Sequence, residues 1–163
     1  MPDDKLTAAQ ALTLLAATPK RLAALTADLE PARLRARAND EEWSANDVLA
    51  HLRACADIWG GCIARIVAEE TPTLRAINPR AWINRTDYLD LDFAPSLRAF
   101  ATQRAALLAI LGALPREGWS RKATVTGAGA PLERTVLTYA QRLARHERPH
   151  VKQIERLINA LRT

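Results

Sequence analysis

Glycine is scarce in this chain, with six in 163 residues, and aromatic residues make up only 5%. So little glycine argues against a fold of many tight turns, and few β-branched residues argue against a sheet-dominated one. Cysteine occurs twice, as Cys55 and Cys62. On one helix their Cα atoms would stand about 10 Å apart, too far for a disulfide. Two free thiols fit a reducing cytoplasm, which is the expected location. No apolar run is long enough to span a membrane. Met1-Pro2-Asp3-Asp4-Lys5 lacks the basic-then-apolar order of an export signal. The net charge is +5, but the arginines are scattered and form no basic run, so nucleic acid is not an expected partner.

Alanine, leucine and arginine are plentiful, and they favour helix. The length suits a single domain over residues 1–163. Thr7 and Gln10 make a capping box that opens a first helix. Thr18-Pro19 should then kink that helix or start a new one. Residues 31–42 have no clean period and read as connection. Ser44 caps a second helix with Asp47 in its first turn. Its seam runs through Val48, Leu52, Cys55, Trp59, Cys62 and Ile66, with His51 on its inner flank. Glu69-Glu70-Thr71-Pro72 ends it.

Residues 71–94 read as a long connection with a short helix around Arg80–Asn84. A third helix is expected from Ala94 or Pro95 to Leu114. A loop follows, with an extended piece at Ala123–Thr126. The fourth helix should run from Arg134 to Leu161, with Val136, Ala140, Leu143, Glu147, His150, Ile154, Leu157 and Leu161 as its seam. The pattern predicts an all-α protein of four long helices.

The middle of that last seam is polar. His146-Glu147-Arg148-Pro149-His150 puts two of the chain's three histidines one turn apart on one helical face. The third, His51, precedes His146 by 95 residues. Polar groups at core positions cost roughly 1–3 kcal/mol each unless partnered. Three neutral imidazoles on one divalent ion would satisfy that need. They would leave positions open for water or substrate, a donor set suited to hydrolysis or to activating a thiol. The stretch also matches the zinc-protease pattern H-E-x-x-H. Pro149 between the ligands, and the lack of histidine in the 13 residues after His150, argue against a protease. Glu147 is then an auxiliary base or a support beside the metal, or the partner of a buried arginine. Cys55, one turn from His51, is a further ligand or thiol, or simply a small core residue. Arg145, Arg148, Lys152 and Arg156 form a basic stripe that reads as a solvated face. The four tryptophans read as core or interface anchors.

The stretch Glu42-Trp43-Ser44-Ala45-Asn46-Asp47-Val48-Leu49-Ala50-His51-Leu52 resembles the first histidine motif of the DinB-like superfamily of metalloenzymes. Ala144-Arg145-His146-Glu147-Arg148-Pro149-His150-Val151-Lys152-Gln153-Ile154 resembles its closing H-x-x-x-H motif. Phe100, Arg104, Leu107, Leu108, Leu111 and Trp119 are similar to the pattern between them. The resemblance implies an antiparallel four-helix bundle with a long crossover. It implies one divalent ion per chain on His51, His146 and His150, nickel or zinc first, then iron or manganese. It also implies thiol-dependent S-transferase or isomerase chemistry with a low-molecular-weight bacterial thiol, or hydrolysis of a small molecule, often in a homodimer. The alternative is a non-enzymatic metal- or ligand-binding stress-response protein.

Overall fold

The computed structural model describes residues 5–162; Met1-Pro2-Asp3-Asp4, read above against an export signal, lies outside the described residues. Four long helices dominate: α1 (Ala8–Thr26), α3 (Ala45–Ala68), α5 (Phe93–Gly112) and α6 (Val136–Leu161). The main packing runs round a ring, α3 on α6, α6 on α1, α1 on α5 and α5 on α3. This closes a four-helix bundle. The expected capping box of Thr7 with Gln10 forms, and Ser44, expected as an N-cap, makes a second capping box with Asp47. Each satisfies two backbone donors at a helix start.

The connections hold more structure than their sequence suggests. A short helix α2 (Pro31–Arg35) lies in the stretch read as irregular, with Pro31 in its first turn and Leu34 buried. The crossover from α3 to α5 carries strand β1 (Thr73–Arg75), helix α4 (Pro79–Ile83) and a 3₁₀ turn at Tyr88–Asp90. Before α6 come a 3₁₀ turn (Arg116–Ser120) and strands β2 (Lys122–Thr126) and β3 (Leu132–Thr135). The three strands form one small sheet in the order β1-β2-β3. Leu74 pairs with Val125 in the parallel half, and Thr124 with Glu133 in the antiparallel half. Leu74, Ala123 and Val125 join the bundle core. Among the described residues, no helix is long and apolar enough to cross a membrane.

The apolar core has two parts. One gathers Leu15, Trp59, Leu107, Leu111 and Leu143; the other gathers Leu22, Leu52, Phe100 and Ile154. Along each long helix a polar residue lies at or near the boundary of the two parts. These residues are Thr18 on α1, His51 on α3, Arg104 on α5, and His146 with Glu147 on α6. Thr18, Arg104 and the His146–Glu147 pair each sit between residues of opposite parts of the core, and His51 lies one turn before the change, which comes at Cys55.

Helix α1 runs unbroken through Pro19. Proline removes a helical N–H, so the carbonyl four residues earlier, that of Leu15, loses its usual donor. The Arg104 guanidinium supplies the missing bond, its Nη1 donating to the Leu15 oxygen at 2.9 Å. Helix α6 likewise continues through Pro149, which is exposed.

Candidate metal centre

His51 comes from the second turn of α3, and His146 and His150 from the middle of α6, two helices that pack along one another. Their imidazoles form a triangle. Ring centroids are 4.9 Å apart for His51 and His146, 4.9 Å for His51 and His150, and 4.6 Å for His146 and His150. Pro149 therefore does not swing either α6 histidine out of the group. Trp43 packs on His51 at 5.3 Å, and Trp59 meets His146 edge-on at 5.1 Å. The two indoles wall the cluster and fix the ring planes.

The donor atoms converge more narrowly than the rings. His51 Nε2 and His146 Nε2 are 3.0 Å apart, and Cys55 Sγ lies 3.7 Å from the first and 3.8 Å from the second. These three residues make a set whose ligand atoms all lie within 4.8 Å of one another. On a tetrahedral ion, ligand atoms stand roughly 3.4 Å apart for two nitrogens and roughly 3.6 Å for nitrogen and sulfur. The two N···S separations match that edge. The N···N separation is the shorter one of two imidazoles sharing a proton. The chemistry of this donor set fits a divalent transition ion, and soft sulfur with imidazole nitrogen suits zinc or its neighbours. His150 is oriented from behind: its Nδ1 bonds Gln153 Oε1 at 2.9 Å, which leaves Nε2 as the lone-pair nitrogen. His146 has no such support, and its Nδ1 is buried without a hydrogen-bond partner.

Burial keeps two of the three imidazoles neutral. Burial first, then the other histidine or histidines and a nearby arginine, lower His51 and His146 to a pKa of about 4. Both are neutral at physiological pH, and a cation binding between their Nε2 atoms would displace the proton they share. Burial, reinforced by the charge of Glu147, pushes the Cys55 thiol up to about 12. It is protonated at neutral pH unless a cation takes the proton's place.

Glu147 sits in the same layer, and both its oxygens are engaged. Arg104 donates to Oε1 through Nη1 at 2.9 Å and to Oε2 through Nη2, while Thr18 Oγ1 donates to Oε1 at 2.9 Å. Both charged side chains are 2% exposed. Of the roles open to this glutamate, the buried arginine partner is the one whose contacts are present. Thr18 had no signal in the sequence beyond its place before Pro19. Arg104 had one, since it occupies the inward position between Phe100 and Leu107. The basic stripe of α6 points outward, with Arg148, Lys152 and Arg156 exposed. A cleft of about 670 Å³, lined in part by Trp43, Arg80, His150 and Gln153, opens beside the cluster.

Fold and cluster together define a four-helix bundle with a histidine- and cysteine-lined centre able to hold a divalent ion. The model of the DinB superfamily matches residues 14–154, and the chain belongs to that superfamily. Among solved structures it is similar to YfiT from Bacillus subtilis, described as a probable metal-dependent hydrolase with an unusual four-helix bundle topology. The TM-score is 0.78 at 19% identity, covering 96% of this chain and 90% of that one. Comparison with curated protein sequences gives no match.

Proposed function

We propose that this protein is a divalent-metal-dependent enzyme acting on a small molecule, with His51, His146 and His150 as the metal ligands. The observation that carries the reading is the approach of two neutral Nε2 atoms to 3.0 Å across 95 residues of sequence. A divalent ion bound there supplies Lewis acidity and brings a water or thiol nearer to ionisation at neutral pH. The chain's own residues do the rest. Gln153 fixes the tautomer of His150. Trp43 and Trp59 hold the rings and keep water from two sides. The cleft beside His150 gives a substrate access. Glu147 anchors the layer through Arg104 rather than taking protons.

The description of YfiT as a probable metal-dependent hydrolase favours hydrolysis of a small molecule. Use of a low-molecular-weight thiol in an S-transferase or isomerase reaction, nickel or zinc as the ion, a homodimer and a cytoplasmic location rest on the superfamily resemblance. One observation favours a second reading, a non-enzymatic metal protein. Cys55 at 3.7 and 3.8 Å from two of the ligand nitrogens would complete a closed shell of four donors with the three histidines, as in structural sites.

Purification without a histidine tag and elemental analysis test the first reading. About one ion per chain is expected, lost in His51→Ala, with metal-dependent turnover of an ester or amide, or of an electrophile supplied with a thiol. A protein that takes up neither zinc nor nickel overturns it. Cobalt substitution separates the second reading. A sulfur-to-cobalt charge-transfer band that disappears in Cys55→Ala, in a protein with no turnover, marks a closed structural site.

A further inference from the structure

Away from the histidines, α3, the small sheet, α4 and α6 line a cleft of about 730 Å³. That volume is typical of small-molecule sites. Its lining is unusual in charge. Arg65, Arg75, Arg134 and Arg142 contribute to it, against a single carboxylate, Asp57. That carboxylate is already committed. Trp82 Nε1 and Tyr88 OH donate to its Oδ2 at 3.0 and 2.5 Å, and Gln103 Nε2 donates to its Oδ1 at 2.5 Å. Arg65 is held by Glu69 through two bonds of 2.8 and 3.1 Å. Arg75, Arg134 and Arg142 make no ion pair among the described residues. Three guanidinium groups thus share one concave site without an ion pair among the described residues.

Two further features give the ligand its other half. Exposed large hydrophobic residues are few among the described residues, and Ile77 (47%) and Leu132 (38%) both line this cleft. Single exposed apolar residues need no explanation, but two beside a cluster of arginines make an amphipathic opening. Gly127, at φ +90°, also lines it; a Cβ there would stand 3.3 Å from Arg75 Cγ. A side chain at that position would crowd the arginine against the turn.

We propose that this cleft binds an organic anion: an apolar, ring-sized body carrying a carboxylate or phosphate, with Arg75, Arg134 and Arg142 taking the charge. Guanidinium forks match both oxyanions, and the overall charge of +5 adds to the attraction. The cleft also touches the candidate metal centre. Arg142 lies over Trp59 at 4.8 Å, and the same indole packs on His146. As the substrate class of the proposed enzyme, the organic anion rests on the metal-enzyme reading; as a ligand, it does not.

Calorimetry on the full chain treated with chelator tests the proposal, with 2-naphthoate, 2-naphthyl phosphate and neutral 2-naphthamide as probes. One or both anions are expected to bind about tenfold or more tighter than the amide, and more weakly as salt rises. Which anion binds tighter separates carboxylate from phosphate recognition. The double variant Arg75→Gln/Arg134→Gln is expected to lose about tenfold in anion affinity, with Arg148→Gln unchanged. Should the double variant fail to fold, Arg142→Gln alone is expected to weaken the anions selectively. Equal binding of amide and anions, or wild-type affinity in a folded arginine variant, overturns the proposal. Anion binding that requires added metal, or is lost in His51→Ala, also overturns it and leaves the metal-enzyme reading standing. Anion binding in a protein that takes up no metal overturns the enzyme reading and leaves the cleft.

Discussion

Arg104 and Glu147 meet as a buried ion pair in the middle of the bundle, two guanidinium nitrogens on two carboxylate oxygens. Breaking such a pair leaves one charge buried without compensation, which costs about 3–5 kcal/mol. Glu147→Ala and Arg104→Ala are each expected to lose stability on that scale in urea denaturation. Their double variant should lose less than the sum of the two. A general base would behave otherwise: Glu147→Gln would then lower turnover while leaving the unfolding midpoint in place.

Metal binding should be visible in stability. A ligand at 100 times its dissociation constant adds about 2.7 kcal/mol. For a chain of this size that corresponds to a rise of roughly 5–10 °C in melting temperature. Zinc or nickel added to chelator-treated protein is expected to raise Tm by that order, and His146→Ala should remove the response. The same Tm with and without metal in the unsubstituted protein would contradict the site.

Acid should act through the same histidines. His51 and His146 titrate near 4 in the folded chain, against 6.5 for an unperturbed histidine. Between those values the unfolded chain binds more protons, so stability rises with pH. The contribution is fully present above 6.5 and is lost as pH falls through about 4. Chelator-treated protein should therefore weaken progressively over that interval. His51→Phe or His146→Phe should flatten the slope, as measured by denaturation at a series of pH values.

The part played by His150 can be read through its neighbour. Gln153 bonds the ring nitrogen that faces away from Nε2. Loss of such an orienting bond costs roughly 10- to 100-fold in metal affinity when the histidine is a ligand. Gln153→Ala is expected to weaken zinc binding by that factor in a chelator competition. Unchanged affinity would remove His150 from the ligand set and leave His51, Cys55 and His146.

Much of this architecture is legible in the sequence because its signals are local. Thr7 with Gln10 and Ser44 with Asp47 announce two helix starts within four residues each. The seam of α6 follows from periodicity, although Tyr139, Ala144 and Ile158 are buried where Leu157 and Leu161 remain partly exposed. The sheet is not legible in this way. Strand β1 is three residues long, and its partner Val125 lies 51 residues after Leu74, so no local period marks the pairing. Pro19 suggests a break, but α1 continues through it, and a guanidinium from another helix takes up the carbonyl that loses its donor. Cys55 carried too little signal to rank as a ligand, since its spacing from His51 suits a core residue equally well. A buried arginine is one of the roles the sequence leaves open for Glu147, but nothing in one dimension says which of the many arginines reaches it.

Helix α1 contributes no histidine and no cysteine, yet it braces the residue next to His146. Thr18 and the Leu15 carbonyl both terminate on the Arg104–Glu147 pair. The proline that opens this carbonyl is thus a mechanical fastening. It ties the first helix, which like α5 carries no histidine, cysteine or carboxylate, to the glutamate beside His146, so that a helix remote from the donors helps hold their layer in place.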